Sequence, residues 1–261
     1  MIDTLKKRKN LKNKLKKRNL VFACWMSYPD LSIVETFCSL NIDLLAIDLE
    51  HTPISLDQTK NIILTSQSKG VPCLPRPVSH SNNFTKPILD FGADGMFYPM
   101  VNNITELNHI INIFKYPKIG NRSFGVNRAH NYDLNFENYV NNWNASSSLI
   151  LQIESKQGVE NLHLFLQNPH VDGVMIGPYD LSGSYGFPGK IDHPEVSKAC
   201  NKVIELCRKY KKTCGIQIKD TSLANIKKQI KKGFNLIILS SDLFVLSQWV
   251  KSKTKILNEL K

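Results

Sequence analysis

A chain of 261 residues with 42% hydrophobic residues, 13 Gly, 12 Pro and a formal net charge of +12 can bury a substantial core, which excludes a low-complexity or fibrous polymer and suits one α/β barrel. No apolar run reaches the roughly 18 residues of a spanning helix and the basic N-terminus lacks an adjoining apolar stretch, so neither a membrane span nor a secretory signal is expected, and the cytoplasm is the expected compartment. Six Cys, at 24, 38, 73, 200, 207 and 214, form no C-x-x-C pair, which points to reduced, buried thiols and away from a disulfide framework or zinc site.

Residues 1–19 form a basic leader, with nine Lys or Arg against Asp3 alone, leaving about +4 for residues 20–261. Leu5, Leu11 and Leu15 give it a helical stripe, which predicts a solvated leader helix packed by one edge on the main domain. An arm for anionic membranes or nucleic acid is the alternative; no nucleic-acid partner is expected. Eight short apolar runs follow, at 20–26, 43–49, 71–76, 95–100, 148–154, 173–178, 214–219 and 236–242, each read as a strand. Helix-length segments separate most of them: Pro29-Asp30 opens one, and Gly92 and Gly233 close two others. Eight strand–helix units with nearly continuous apolar strands imply parallel pairing buried on both faces, hence a single (β/α)8 TIM barrel, residues 20–261, behind the leader. An open doubly wound sheet is the rival, but no G-x-G-x-x-G follows the first strand. The stretch 117–147 is long for a barrel connection and reads as a functional loop or insertion, on the active side if it leaves the carboxyl end of strand four.

In a barrel, polar residues at the carboxyl ends of strands face the catalytic mouth. Strand two ends in Asp48-Leu49-Glu50-His51, strand three in Arg76, strand five in Gln152-Ile153-Glu154, and strand six runs into Gly177-Pro178-Tyr179-Asp180. Glu154 and Asp180 are a plausible pair of oxygen ligands for Mg2+ or Mn2+, which takes one or two protein carboxylates and leaves positions for water and substrate. Each could equally cap the following helix or pair with an Arg.

The segments IDLEHTP (47–53), PRP (75–77), ILDFGADGMFYPMVNN (88–103), RSFGVNRAHNY (122–132), LQIES (151–155) and VDGVMIGPYDLSGSYGFPGKIDHPEV (171–196) resemble the HpcH/HpaI aldolase family, class II pyruvate aldolases of the phosphoenolpyruvate/pyruvate barrel superfamily. The resemblance runs from about residue 20 to 250 in order and spacing. It implies a metal-dependent aldolase that cleaves or forms the C3–C4 bond of a 4-hydroxy-2-oxo acid to give pyruvate and an aldehyde through a metal-stabilised enolate. It further implies a divalent metal (Mg2+ or Mn2+, with Co2+ as a further candidate), a 2-oxo acid and an aldehyde as small-molecule partners, and a homo-oligomer, hexamer or trimer, whose last helix is exchanged between neighbours.

Carried over by position, the resemblance makes Glu154 and Asp180 the metal carboxylates and Arg76 the pyruvate-binding arginine beside the developing oxyanion. The backbone N–H groups of Tyr179 and Asp180 would hold the substrate carboxylate, and Gln152 would face the same pocket. His51 matches the catalytic histidine and Asp90 its aspartate partner, a pair suited to moving the proton of the C4 hydroxyl. Asp48 and Glu50 would orient His51, Arg76 or metal-bound waters. His130, beside Arg122 and Arg128, lies in a segment that could approach the aldehyde half, where an Arg would bind a distal carboxylate or brace the loop. Trp25 is expected in the core or against the pocket. The rival functions are a CoA-thioester lyase of the citrate lyase β or malyl-CoA type, a 2-oxo diacid decarboxylase on the same barrel, and a non-enzymatic binder of anionic polymers.

Overall fold

The structure, a computed structural model, describes residues 3–260. A helix α1 (Thr4–Lys16) precedes β1 (Val21–Met26), α2 (Leu31–Cys38), β2 (Leu44–Asp48), α3 (Leu56–Ser68) and β3 (Cys73–Arg76). Then come α4 (Asn82–Asp90), β4 (Gly95–Tyr98), α5 (Ile104–Phe114), a 3-10 turn at Arg128–His130, α6 (Phe136–Ser146) and β5 (Ser148–Ile153). The chain continues through α7 (Lys156–Gln167), β6 (Gly173–Ile176), α8 (Pro178–Ser184), α9 (Pro194–Lys209), β7 (Thr213–Ile218), α10 (Leu223–Lys232), β8 (Leu236–Ser241) and α11 (Asp242–Leu260). Every apolar run read as a strand is one, with each end within two residues of the expected one. The expected punctuation is present too: Asp30 caps α2 by accepting from the Ser32 and Ile33 N–H groups, and Gly233 ends α10 at φ +118°, a left-handed turn open to glycine.

The strands are parallel and ordered β3-β2-β1-β8-β7-β6-β5-β4. The ring closes between β3 and β4, where Asp94 N–H donates to the Cys73 carbonyl at 2.9 Å. A (β/α)8 barrel results, and its closure sorts alternate strand residues to two sides. Val21, Ala23, Trp25, Leu44, Ala46, Leu74, Phe97, Ile150, Met175, Leu236 and Ile238 fill the barrel interior, while their neighbours Cys24, Met26, Leu45, Ile47, Tyr98, Leu151 and Ile176 pack against the helices. The six cysteines are free, and all but Cys200 are buried.

The leader is not a solvated helix resting on one edge. Leu11 and Leu15 of α1 are buried in the interior cluster itself, so α1 plugs the amino-terminal end of the barrel. Two of its cations are buried with it: Arg8 Nε lies 3.0 Å from Asp94 Oδ1, and Lys12 Nζ lies 2.6 Å from Asp172 Oδ2. Both aspartates immediately precede strands and also accept backbone N–H groups, from Cys73 and Leu149. Helix α1 and the barrel thus share one core.

The 117–147 stretch leaves the end of α5, not the carboxyl end of β4, and so lies on this floor as well. Its Arg122 pairs with Asp90 at 3.1 Å and stacks over Tyr116 and Trp143, each 4.6 Å from the ring centroid. Arg8 of α1 sits 5.1 Å from the Tyr139 ring. Among the described residues no helix is long and apolar enough to cross a membrane.

Lys115 is fully buried on the floor. Its ammonium donates to Asn144 O at 2.9 Å and Ser147 Oγ at 2.8 Å, without a carboxylate of its own. Burial, reinforced by the charge of Lys12, lowers its pKa from 10.5 to about 7. From about 7 to 10.5 the unfolded chain therefore binds the extra proton, and stability rises with pH across that window by up to about 1.4 kcal/mol per unit; below it the penalty is fully present. We expect Lys115→Met to remove this rise. Urea unfolding of both proteins at about pH 6 and about pH 9 checks it: an unchanged difference between them would show that Lys115 keeps an ordinary proton affinity.

Candidate active site

At the opposite, carboxyl-terminal end of the barrel the inward-facing positions turn polar. The register sets Asp48 on β2 directly beside Arg76 on β3, and the Asp48 carboxylate accepts the guanidinium through Nε at 3.1 Å and Nη2 at 2.8 Å. The same carboxylate also accepts the N–H groups of Glu50 and His51 at 3.1 and 3.2 Å, which folds the post-strand turn back over the mouth. Arg76 Nη1 lies 2.9 Å from Glu50 Oε2 and 3.3 Å from Gln152 Oε1, and the guanidinium lies over the Trp25 ring at 5.0 Å from its centroid. A planar fork braced on several sides is a role lysine cannot fill.

From Gln152 the network passes to Glu154. The Gln152 amide donates to Glu154 Oε2, and Met100 N–H donates to Oε1 at 2.7 Å. Glu154 is 3% exposed. Burial raises its pKa despite those two donors, and the negative charges of Glu50 and Asp180 add to the rise. Glu50 is raised likewise, first by burial and then by Asp48 and Asp180, against the lowering pull of Arg76. Glu50 Oε2 has an ion-pair neighbour in Arg76 but no aligned hydrogen-bond donor. Gly177, on the inward position ending β6, makes room for this carboxylate: a Cβ there would stand 2.6 Å from Glu154 Oε2.

Beyond them lies a cavity of about 480 Å3, lined by Asp48, His51, Arg76, Gln152, Tyr179 and Asp180 among others. The mouth thus gathers four carboxylates, Asp48, Glu50, Glu154 and Asp180, around one guanidinium. That excess of negative charge in a half-enclosed space fits a divalent cation. Glu154 and Asp180 would hold it, the two protein oxygens that Mg2+ or Mn2+ accepts while keeping water and substrate oxygens. Among the described residues no group of three or more His, Cys, Asp or Glu converges in a metal-binding arrangement.

Six of the expected site residues, Asp48, His51, Arg76, Gln152, Tyr179 and Asp180, line this one cavity, with Glu50 and Glu154 in contact with it through Arg76 and Gln152. Asp90 does not join them. It ends α4, which runs antiparallel to the strands, and its carboxylate pairs with Arg122 on the floor. His51 follows the other end of β2, the length of a strand away, roughly 13–17 Å. The His51–Asp90 pair is therefore not made within one chain; the nearest carboxylate to His51 Nε2 is Glu50 at 3.6 Å, and the ring is 63% exposed. His130 is also a floor residue, fully buried, with Nε2 3.0 Å from the Tyr116 hydroxyl. Arg122 and Arg128 brace that loop, Arg128 by donating to Phe91 O and Gln67 Oε1. Trp25 is both 3% exposed core and cavity wall. The far wall carries residues that the sequence reading passed over, notably Lys219, Asn225, Gln229 and Phe244.

A family model described as HpcH/HpaI aldolase/citrate lyase matches residues 22–248. A 2-keto-3-deoxy-L-rhamnonate aldolase of Salmonella typhi is 30% identical over 244 residues, covering 93% of this chain and 90% of that protein. Among solved structures, a HpcH/HpaI aldolase/citrate lyase family protein from Burkholderia cenocepacia J2315 superposes with a TM-score of 0.87 at 25% identity, over 96% of this chain and 99% of that one. The HpcH/HpaI aldolase from Desulfitobacterium hafniense DCB-2 shares the fold, with a TM-score of 0.87 at 24% identity over 96% and 97% of the two chains.

The fit of Gly177 against Glu154 supplies a test that disturbs no charged group directly. Gly177→Ala should cost about 1–3 kcal/mol of stability and, by displacing the carboxylate, weaken Mn2+ binding about tenfold or more. Urea unfolding and Mn2+ titration measure the two effects, and unchanged Mn2+ affinity would remove Glu154 from the ion's surroundings.

Proposed function

The chain belongs to the HpcH/HpaI aldolase/citrate lyase family and is a carbon–carbon lyase of the aldolase kind; from that premise we propose that the barrel mouth cleaves a 4-hydroxy-2-oxo acid to pyruvate and an aldehyde, and runs the reverse addition, with a divalent metal at Glu154 and Asp180. The observation that carries this reading is the gathering of four carboxylates around the single guanidinium of Arg76. Bound there, the cation would act as a Lewis acid on the 2-oxo acid.

The chain's own groups divide the remaining work. The first-turn N–H groups of α8, at Tyr179 and Asp180, are beyond reach of any intrahelical carbonyl, and both residues line the cavity; they would bind the substrate carboxylate. Arg76, fixed on one side by Asp48 and Glu50, offers a permanent positive charge to the 2-oxo oxygen as electron density moves onto it, an interaction that strengthens along the reaction and therefore lowers its activation energy more than it tightens ground-state binding. Gln152 spans Arg76 and Glu154 and keeps both in register. His51, on the rim with Glu50 at 3.6 Å, would take the proton of the C4 hydroxyl during cleavage and return it during addition. Asp48 holds the His51 backbone and Arg76 together, so one carboxylate positions both groups.

Pyruvate release from a panel of 4-hydroxy-2-oxo acids, with EDTA and then with Mg2+, Mn2+ or Co2+ restored, tests the reading. Release that requires metal, is abolished in Glu154→Gln and Asp180→Asn, and falls about 10²–10³-fold in Arg76→Lys is expected. Metal-independent release, or cleavage only of a malyl-type CoA thioester, would overturn it.

We also infer a homo-oligomer. Only Asp242 of the 19-residue α11 is buried, and Leu246, Trp249, Val250, Leu257 and Leu260 are more than half exposed. An apolar stripe along a helix roughly 28 Å long suits a second copy of the chain. Light scattering should give a multiple of 29.7 kDa for the wild type and a smaller assembly for Trp249→Lys; a wild-type monomer would refute the inference.

A further inference from the structure

The strand parity that aims Asp48, Arg76 and Glu154 inward also aims Lys219 inward. Met175 faces the barrel interior and pairs with Gly215, so Gln217 and Lys219 follow on the same side of β7, and both line the cavity. β7 stands across the ring from β3, the strand of Arg76. Lys219 is thus set on the wall facing the groups that take the 2-oxo acid.

Its ammonium is held without being neutralised. Lys219 Nζ donates to the Tyr179 hydroxyl at 2.7 Å and lies 4.6 Å from the Tyr179 ring centroid and 4.5 Å from that of Phe244. Aromatic faces position a cation and strip part of its water while leaving its charge available. Among the described residues lining the cavity, Arg76 is already engaged by two carboxylates, and Lys219 is the cation with no ion-pair partner. On the same wall, Gln229 Oε1 is buried with no hydrogen-bond partner, although its amide is fixed by Asn225 at 3.0 Å.

We propose that Lys219 selects the aldehyde partner, binding an anionic group, carboxylate or phosphate, at the end of the aldehyde remote from the carbonyl. This rests on the aldolase reading of the mouth and extends it to the class of aldehyde. Lys219 touches no reacting atom; it fixes the far end of the substrate so that the carbonyl carbon meets C3 of pyruvate. Neutral aldehydes of equal length enter the same cavity but lack this anchor.

The test uses the metal-loaded full chain and compares wild type, Lys219→Met and Lys219→Arg in condensing pyruvate with succinic semialdehyde, glyceraldehyde 3-phosphate and neutral butanal. Lys219→Met should raise KM for the anionic aldehydes about tenfold or more, the worth of one charge-assisted hydrogen bond, with kcat and the KM for butanal little changed. Lys219→Arg should keep most of the anion preference. Whichever anionic aldehyde shows the larger loss identifies carboxylate or phosphate as the group recognised. A uniform loss on all three aldehydes would make Lys219 a clamp between α8 and α11, and unchanged KM for both anions would likewise overturn the proposal. Exchange of the pyruvate methyl protons in D2O, run in parallel, needs only the near wall; its absence in the wild type would count against the aldolase reading itself. Calorimetric titration of butanoate and inorganic phosphate onto the pyruvate-saturated protein judges Lys219 without turnover: binding must weaken in Lys219→Met, and equal affinity in both proteins would overturn the assignment.

Discussion

Closure of the eight-stranded parallel sheet is the constraint on which the rest of the molecule depends. Once the ring is shut between β3 and β4, every second strand residue must point into a space with no solvent along most of its length. Apolar side chains fill the middle layers, and only the two ends can hold charge. The amino-terminal end is stoppered by Leu11 and Leu15 of α1; the carboxyl-terminal end stays open, and chemistry is confined to it. A residue's position along a strand and its parity therefore decide whether it packs, braces or reacts.

The two charged ends differ in how they are balanced. On the floor three cations are paired with one aspartate each, Arg8 with Asp94, Lys12 with Asp172 and Arg122 with Asp90, while Lys115 is met by carbonyl and hydroxyl oxygens alone. Each aspartate of the first two pairs also takes strand N–H groups, so these contacts are complete within the fold. At the mouth the carboxylates outnumber the single guanidinium, and Glu154 and Glu50 hold their protons more tightly than free carboxylates. Electrostatics left unbalanced by the protein alone mark the end that awaits a ligand. The same contrast separates Asp90 from Glu154, two buried acids in family-like motifs, one satisfied by an arginine and one not.

The barrel was legible in the sequence because strand burial on both faces leaves uninterrupted apolar runs, and because caps such as Asp30 and Gly233 carry local conformational meaning. Asp48, Arg76, Glu154 and Asp180 were legible because polar residues ending such runs have few structural reasons to be there. The leader was harder to read. A stripe of Leu5, Leu11 and Leu15 among cations describes a surface helix as well as a plug, and what distinguishes them is Asp94 and Asp172, one residue before β4 and β6, whose partners lie 86 and 160 residues away. The same non-locality hid the placement of Asp90 and the 117–147 segment, since a motif gives order along the chain but not which end of a helix it occupies. Lys219 was missed although its signal was present: it follows Ile218 at the end of β7 as Glu154 follows Ile153 at the end of β5.

The cavity wall divides accordingly into two parts with different demands. On the proposed reading Arg76, Gln152, Glu154 and the α8 turn match one fixed fragment, a 2-oxo acid, and the first three are locked to one another by hydrogen bonds, with Arg76 further held by ion pairs. The wall from β7, α10 and the start of α11 meets the variable fragment, and its polar groups are tied to each other more loosely, with Lys219 resting on ring faces and Gln229 left with an open acceptor. Rigid groups suit charge that develops at a fixed atom, because their orientation is settled before reaction. A cation held by one hydroxyl and two ring faces, with no ion pair, can follow ligands of somewhat different length at small energetic cost. On that reading, selection among aldehydes can change through a few side chains on one wall, while the opposite wall, proposed to hold the 2-oxo acid, keeps its geometry.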